Sequence, residues 1–209
     1  MSQLVQDEVF LRQKSAPVRN IKEGGEISRL LTAYLARHNK KARNKARKPE
    51  VQKGMVPGMP LGLGISAPQI GILKQVAYVY VNEVPVVLMN PRIIEHSEQK
   101  IPFKEGCLSF PNRYEYAYRW SWVVVECLNH PKPLVFGPRT PEDWNVPTKI
   151  LRSVVVQHEI GHLRGLLFWD FVDDTNYPDM LEEIKWKTEL CGSLTAGTEP
   201  TPASIAIAS

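Results

Sequence analysis

No apolar run in this chain approaches the roughly 18 residues that a membrane-spanning helix needs, so no membrane partner is expected. The opening stretch MSQLVQDEVFLRQ carries acids early and has no uninterrupted apolar segment, so no secretory leader is expected either. Cysteine is scarce. Cys107, Cys127 and Cys191 are odd in number and lack framework spacing, which argues against a disulfide scaffold and for a reduced compartment. The glycine-rich stretch GLGISAPQIG has neither the Gly-Lys-Ser/Thr ending of a phosphate loop nor a dinucleotide fingerprint. Acids are missing from one segment in particular: Arg37 to Lys48 holds seven Lys/Arg and no Asp/Glu. The chain's net charge is only +4, so the remainder is mildly acidic and one basic appendage stands apart. That appendage reads as a solvated helical extension or loop, or as a surface for RNA rather than DNA.

What is present is enough for one core. The 209 residues, 43% of them hydrophobic, fit a single domain over 1–191 with a basic extension at about 37–60. Residues 192–209 are short of core residues and rich in Ala, Ser, Thr and Pro, the composition of a disordered tail. Gly24-Gly25 break the chain before a helix near Glu26, whose face Ile27, Leu30, Leu31, Tyr34 and Leu35 should pack on the core; the basic half after it has nothing to bury. Gln75 to Val81 and Val84 to Met89 read as strands joined through Asn82-Glu83, and Ile93 to Glu95 continues a sheet. WSWVVVECL, from Trp120 to Leu128, is the clearest strand, followed by Leu134 to Phe136. A helix capped near Thr148 should run to Arg164 and stop at Gly165. Leu166 to Val172 reads as extended, and Leu181 to Leu190 as a last helix.

The chemistry concentrates in SVVVQHEIGHLRG, Ser153 to Gly165. On a helix His158 and His162 project from one face, one turn apart, at a separation that suits one metal ion. Glu159 cannot serve as a third ligand on that face, but it can take the proton of a water that the ion activates. The preceding β-branched run, Val154 to Val156, makes sense as a helix buried by packing, and two histidines buried with a glutamate need a neutralising charge. A divalent cation provides it.

The third ligand is open at this level. A zinc endopeptidase would take a carboxylate from a following helix, Glu182 or Glu183; Phe168 occupies the place where another protease pattern has a third histidine. Cys107, between Gly106 and Leu108, is equally readable as a small buried residue, as a thiolate ligand or as a nucleophile with His158 as its base. Gln69 is the one strong polar side chain in its apolar stretch, placed to meet a reacting carbonyl oxygen.

Three segments together narrow the choice. GISAPQIG at 64–71, EGCLS at 105–109 and QHEIGH at 157–162 resemble, in the same order, the three motifs of the peptide deformylases. The resemblance implies an α+β fold in which antiparallel strands pack around a central helix carrying the HExxH motif. It implies a metal held by Cys107, His158 and His162, with Fe(II) the usual ion and Zn, Ni or Co able to replace it. The reaction implied is removal of the formyl group from N-formylmethionyl nascent peptides. Glu159 would carry the proton, and Gln69 with the backbone N–H of Leu108 would meet the oxyanion. Phe103, Leu151, Val154 and Val155 would receive the methionine side chain, while the peptide pairs as an added strand with the segment from Gly64 and Ile65 to Ser66. Glu105 and Arg119 would support the cysteine loop. A monomer is expected, in the cytoplasm of a bacterium or of a bacterial host or in an organelle, and the charge of the basic stretch, apart from the resemblance, points to a contact with ribosomal RNA. The chain departs from the pattern at Gly161, where the family has an acid, in the length of the basic insertion and in its tail.

Overall fold

Strand β2 alternates strictly between two cores, and that alternation organises the molecule. The computed structural model describes residues 4–48, 61–82 and 84–180. In β2 (Val76–Val81), Ala77, Val79 and Val81 point into one buried cluster, whereas Val76 and Tyr78 point into another. A strand with a period of two and apolar residues on both faces has to be covered on both sides. Two helices do this: α2 (Ile21–Ala46), preceded by the single turn α1 (Glu8–Leu11), lies on one face, and α3 (Pro147–Leu163) on the other.

Beside β2 lie β1 (Gly64–Ser66) and β3 (Val84–Met89), both antiparallel to it, so among the described residues β1 is an edge strand. A second antiparallel sheet joins β4 (Arg92–His96), β7 (Val123–Glu126) and β8 (Leu134–Phe136). The long hairpin of β5 (Lys100–Cys107) and β6 (Phe110–Trp120) stands as its own pair. Single 3₁₀ turns cover Ala67–Ile70, Pro141–Asn145 and Phe168–Phe171. Helix α3 buries Val155, Val156, Ile160 and Leu163 against β2, β6 and β8. Gln157 locks it in place, because its side chain exchanges hydrogen bonds with both the N–H and the C=O of Trp120, at 3.1 and 2.8 Å. The fold is therefore α+β, with antiparallel strands around a central helix.

Several local expectations need correcting. Gly24-Gly25 do not interrupt the chain: α2 starts at Ile21, capped by Asn20, and Gly24 lies where any Cβ would fall 2.5 Å from the Met89 sulfur. The glycine there serves packing. Nor is the basic half of α2 merely solvated. Its apolar spine continues from Leu31 and Leu35 to buried Asn39 and Ala42, and Asn39 both donates to and accepts from the backbone of Gly62. The strand expected over Trp120 to Leu128 is two strands. Ser121 bonds to the Ser97 hydroxyl and the Gln99 carbonyl, and there the chain leaves the hairpin for the other sheet. Thr148 is not the cap of α3, since Pro147 takes the first helical position and Val146 precedes it without a side-chain cap. The helix ends at Leu163, with the expected last residue Arg164 as its cap and Gly165 at φ +73° against the Arg12 carbonyl. Leu166 to Val172 is not a strand but includes a 3₁₀ turn, in which Asp170 accepts from the Leu167 N–H. The helix expected at Leu181 to Leu190, with Glu182 and Glu183, and the tail at 192–209 lie outside the described residues.

Candidate metal centre

Helix α3 delivers His158, Glu159 and His162 to one place, and the end of β5 delivers Cys107 to the same place. Because β5 and β6 are joined through the tight turn at Leu108-Ser109, Cys107 is held at the last rung of the hairpin, opposite Phe110. Ligand atoms of Cys107, His158 and His162 all lie within 4.8 Å of one another, with Cys107 Sγ 3.3 Å from His162 Nε2. Among the described residues this is the cluster of sulfur, nitrogen or carboxylate donors with metal-site spacing.

The surroundings fit a cation. His158 Nδ1 lies 2.7 Å from Glu105 Oε2, so Nδ1–H donates to the carboxylate and Nε2 is left with a lone pair for a metal. Glu105 is itself gripped by Arg119, whose Nε and a terminal nitrogen donate at 2.6 and 3.0 Å, and Arg119 lies 3.9 Å from the centre of the Phe171 ring. Burial alone would raise the Glu105 carboxyl, but Arg119 and His158 outweigh it and hold it at about 2, ionised. Burial works against a charged His158, yet Cys107 and Glu105 raise it to about 10, so this ring favours a positive charge at Nε2, a place that a bound cation would take from the proton. Burial, His158 and Arg119 hold His162 well below its ordinary value, in the neutral form that can ligate. One sulfur and two imidazoles form a three-ligand set that leaves a tetrahedral corner open, and thiolate favours a softer ion than magnesium.

Glu159 lies beside this cluster and is 3% exposed. Burial lifts its carboxyl to about 7, against the pull of His158 and a hydrogen bond with Ser66. A carboxyl poised there can both take and return a proton near neutral pH. Its space is made by β1: a Cβ on Gly64 would lie 2.5 Å from Glu159 Oε1. Ser66, the next residue on that face, fixes Gln69. The Gln69 Oε1 accepts from the Ser66 N–H at 2.9 Å and from its hydroxyl at 3.1 Å, so the amide nitrogen faces Cys107 Sγ and Ser109 Oγ, each at 3.4 Å.

A cavity of about 290 Å³ opens onto these groups. Gly64, Gln69, Phe103, Cys107, Leu108, Leu151, Val154, Val155, His158 and Glu159 all line it, so most of the residues singled out in the sequence meet there. Ile65 does not. It points from β1 to the opposite side of the sheet, fully buried beneath α2, because Gly64 and Ser66 take the cavity side. Ser66 is expected only as part of the peptide-pairing segment, not as the residue that fixes Gln69, and His38 is not expected at the site at all. The signal for His38 was the spacing 31, 35, 39, 42, which carries the packed face of α2 past Leu35 to the cavity wall.

The family model described as polypeptide deformylase matches residues 2–177. Peptide deformylase 1 of Vibrio vulnificus is 31% identical over 132 residues, which is 62% of this chain and 73% of that protein. A peptide deformylase of Acetivibrio thermocellus is 39% identical over 117 residues, 54% of this chain and 63% of that one. The structure of a Synechococcus elongatus peptide deformylase in complex with actinonin superimposes with a TM-score of 0.61 at 26% identity, covering 83% of this chain and 79% of that chain.

Proposed function

This chain belongs to the polypeptide deformylase family, and on that premise we propose that Cys107, His158 and His162 hold its divalent metal while Glu159 moves the proton during deformylation. The reaction of the family is removal of the N-formyl group from nascent peptides. The observation that carries the assignment of roles is the convergence of three ligand atoms within 4.8 Å of one another beside a buried carboxylate.

A divalent ion bound there supplies the positive charge that acidifies water and polarises the formyl carbonyl. The remaining work belongs to the chain. Glu159 takes the proton of the attacking water and returns it to the departing amine, so formate and a free N-terminus leave. The Gln69 amide, aimed by Ser66, and the backbone N–H of Leu108 donate to the oxygen on which charge develops. Leu151, Val154, Val155 and Phe103 give the cavity an apolar wall suited to a methionine side chain. The peptide backbone adds to the open edge of β1.

Fe(II) is our choice of physiological ion, with Zn, Ni or Co as substitutes, because a thiolate in the ligand set suits ions of this kind. We place the reaction in the cytoplasm of a bacterium or its host, or in an organelle, wherever formylmethionyl chains emerge, and among the described residues no helix is long and apolar enough to cross a membrane. We take the protein as a monomer, one catalytic domain over 1–191, whose basic α2 extension contacts ribosomal RNA. The rival endopeptidase would need Glu182 where Cys107 already supplies a third donor. Formate release from a formyl-Met peptide by protein purified without oxygen, with its metal content measured, tests the reading. Cleavage of casein without formate would reject it for the endopeptidase.

A further inference from the structure

The cavity wall beyond the metal takes nitrogen-bearing side chains from two separate elements. His38 reaches it from α2 and Lys104 from β5, and Lys104 sits 5.9 Å from the centre of the Tyr114 ring, which also lines the cavity. On α2, Lys41 and Lys45 follow His38 at spacings of three and seven, on the same side of the helix, and at about 1.5 Å per residue they carry the stripe roughly 10 Å further out. The acids that line the cavity, among the described residues, are Glu105 and Glu159. Glu105 is committed to Arg119 and His158, and Glu159 to the proton. Nothing described on the outer wall therefore offers a carboxylate to a cationic substrate.

The direction of a bound peptide follows from β1. Gly64 abuts Glu159, whereas Gly62 is bonded to Asn39, the neighbour of His38. A chain added to this edge with its formyl end at the metal leaves past Gly62 toward α2. At about 3.3 Å per residue, the second or third residue after the formyl group comes level with His38 and Lys104.

We propose that His38 and Lys104, backed by Lys41 and Lys45, form a subsite that selects formyl-Met peptides carrying a carboxylate side chain at the second or third residue. The proposal rests on the deformylase reading and adds a substrate class to it. The Lys104 ammonium donates to a carboxylate, and several surface cations acting together favour an acid over a base by about fivefold to tenfold.

The test compares kcat/KM of the metal-loaded full chain on formyl-Met-Ala-Asp-amide and formyl-Met-Ala-Lys-amide, with the C-termini amidated so that only the side chains differ. The Asp peptide should win by about fivefold or more through KM, and the ratio should fall toward one at raised salt and in Lys104→Gln. Being a ratio on one protein sample, it is insensitive to a partly unfolded variant, and Lys41→Gln with Lys45→Gln, both distant from the metal, should lower it as well. Equal rates on the two peptides, or a preference that survives Lys104→Gln and the double variant, would overturn the subsite while leaving the deformylase reading intact. Formate from neither peptide would overturn both.

Discussion

His158 Nδ1 lies 2.7 Å from Glu105 Oε2, and the same carboxylate is clamped on its far side by buried Arg119. This chain of three side chains links the helix that carries the histidines to the hairpin that carries the cysteine, so the three proposed ligands are held from behind. A carboxylate behind a ligating imidazole orients the ring and raises its basicity. Glu105→Gln should weaken metal binding by about 10-fold to 100-fold, measured by chelator competition. Unchanged affinity would mean the contact is only packing.

The Arg119 clamp has its own consequence for stability. Removing one partner of a buried pair leaves an uncompensated charge, and Arg119→Met should destabilise the metal-free protein by about 3 kcal/mol or more in denaturant unfolding. A midpoint equal to that of the parent protein would contradict the burial described here.

Gly64 tests the geometry around the proton carrier. With a Cβ 2.5 Å from Glu159 Oε1, Gly64→Ala must push the carboxylate or β1 aside. Turnover should fall by about 100-fold, since displacements of an ångström carry such costs, while bound metal stays at one equivalent. Retained turnover would place Glu159 elsewhere.

The acid limb of stability should involve a pair far from the metal. The backbone N–H of Arg19 and the ammonium of Lys74, at 2.8 and 2.9 Å, hold the Glu23 carboxyl at about 2 instead of 4.5. A carboxyl lowered on folding contributes stability that is complete above its unfolded value and is lost as pH falls toward its folded one. Glu23→Gln should therefore lower Tm at pH 7, and the gap to the parent protein should close between about pH 4.5 and pH 2. A gap that stays constant across that range would remove Glu23 from the account.

Much of the site was legible because its residues are close in sequence or chemically distinctive. His158, Glu159 and His162 declare themselves by helical spacing, and Cys107 by its motif. Face assignments were harder. Gly64 and Ile65 are neighbours, yet one faces Glu159 and the other the α2 core, and only the register of β1 on β2 decides which. The reach of α2 was hidden because its charges masked the spine that ends in Asn39 and Ala42. The break after Trp120 depends on hydrogen bonds from Ser121 to Ser97 and Gln99, partners more than 20 residues away, which no local pattern of β-branched residues reports.

The central claim is that Cys107 and the two histidines close on one ion. X-ray absorption at the metal edge of the zinc-loaded protein measures this directly. The account predicts one sulfur at about 2.3 Å and two imidazole nitrogens at about 2.0 Å, with the sulfur lost in Cys107→Ala. A shell of nitrogen and oxygen alone in the parent protein would contradict it.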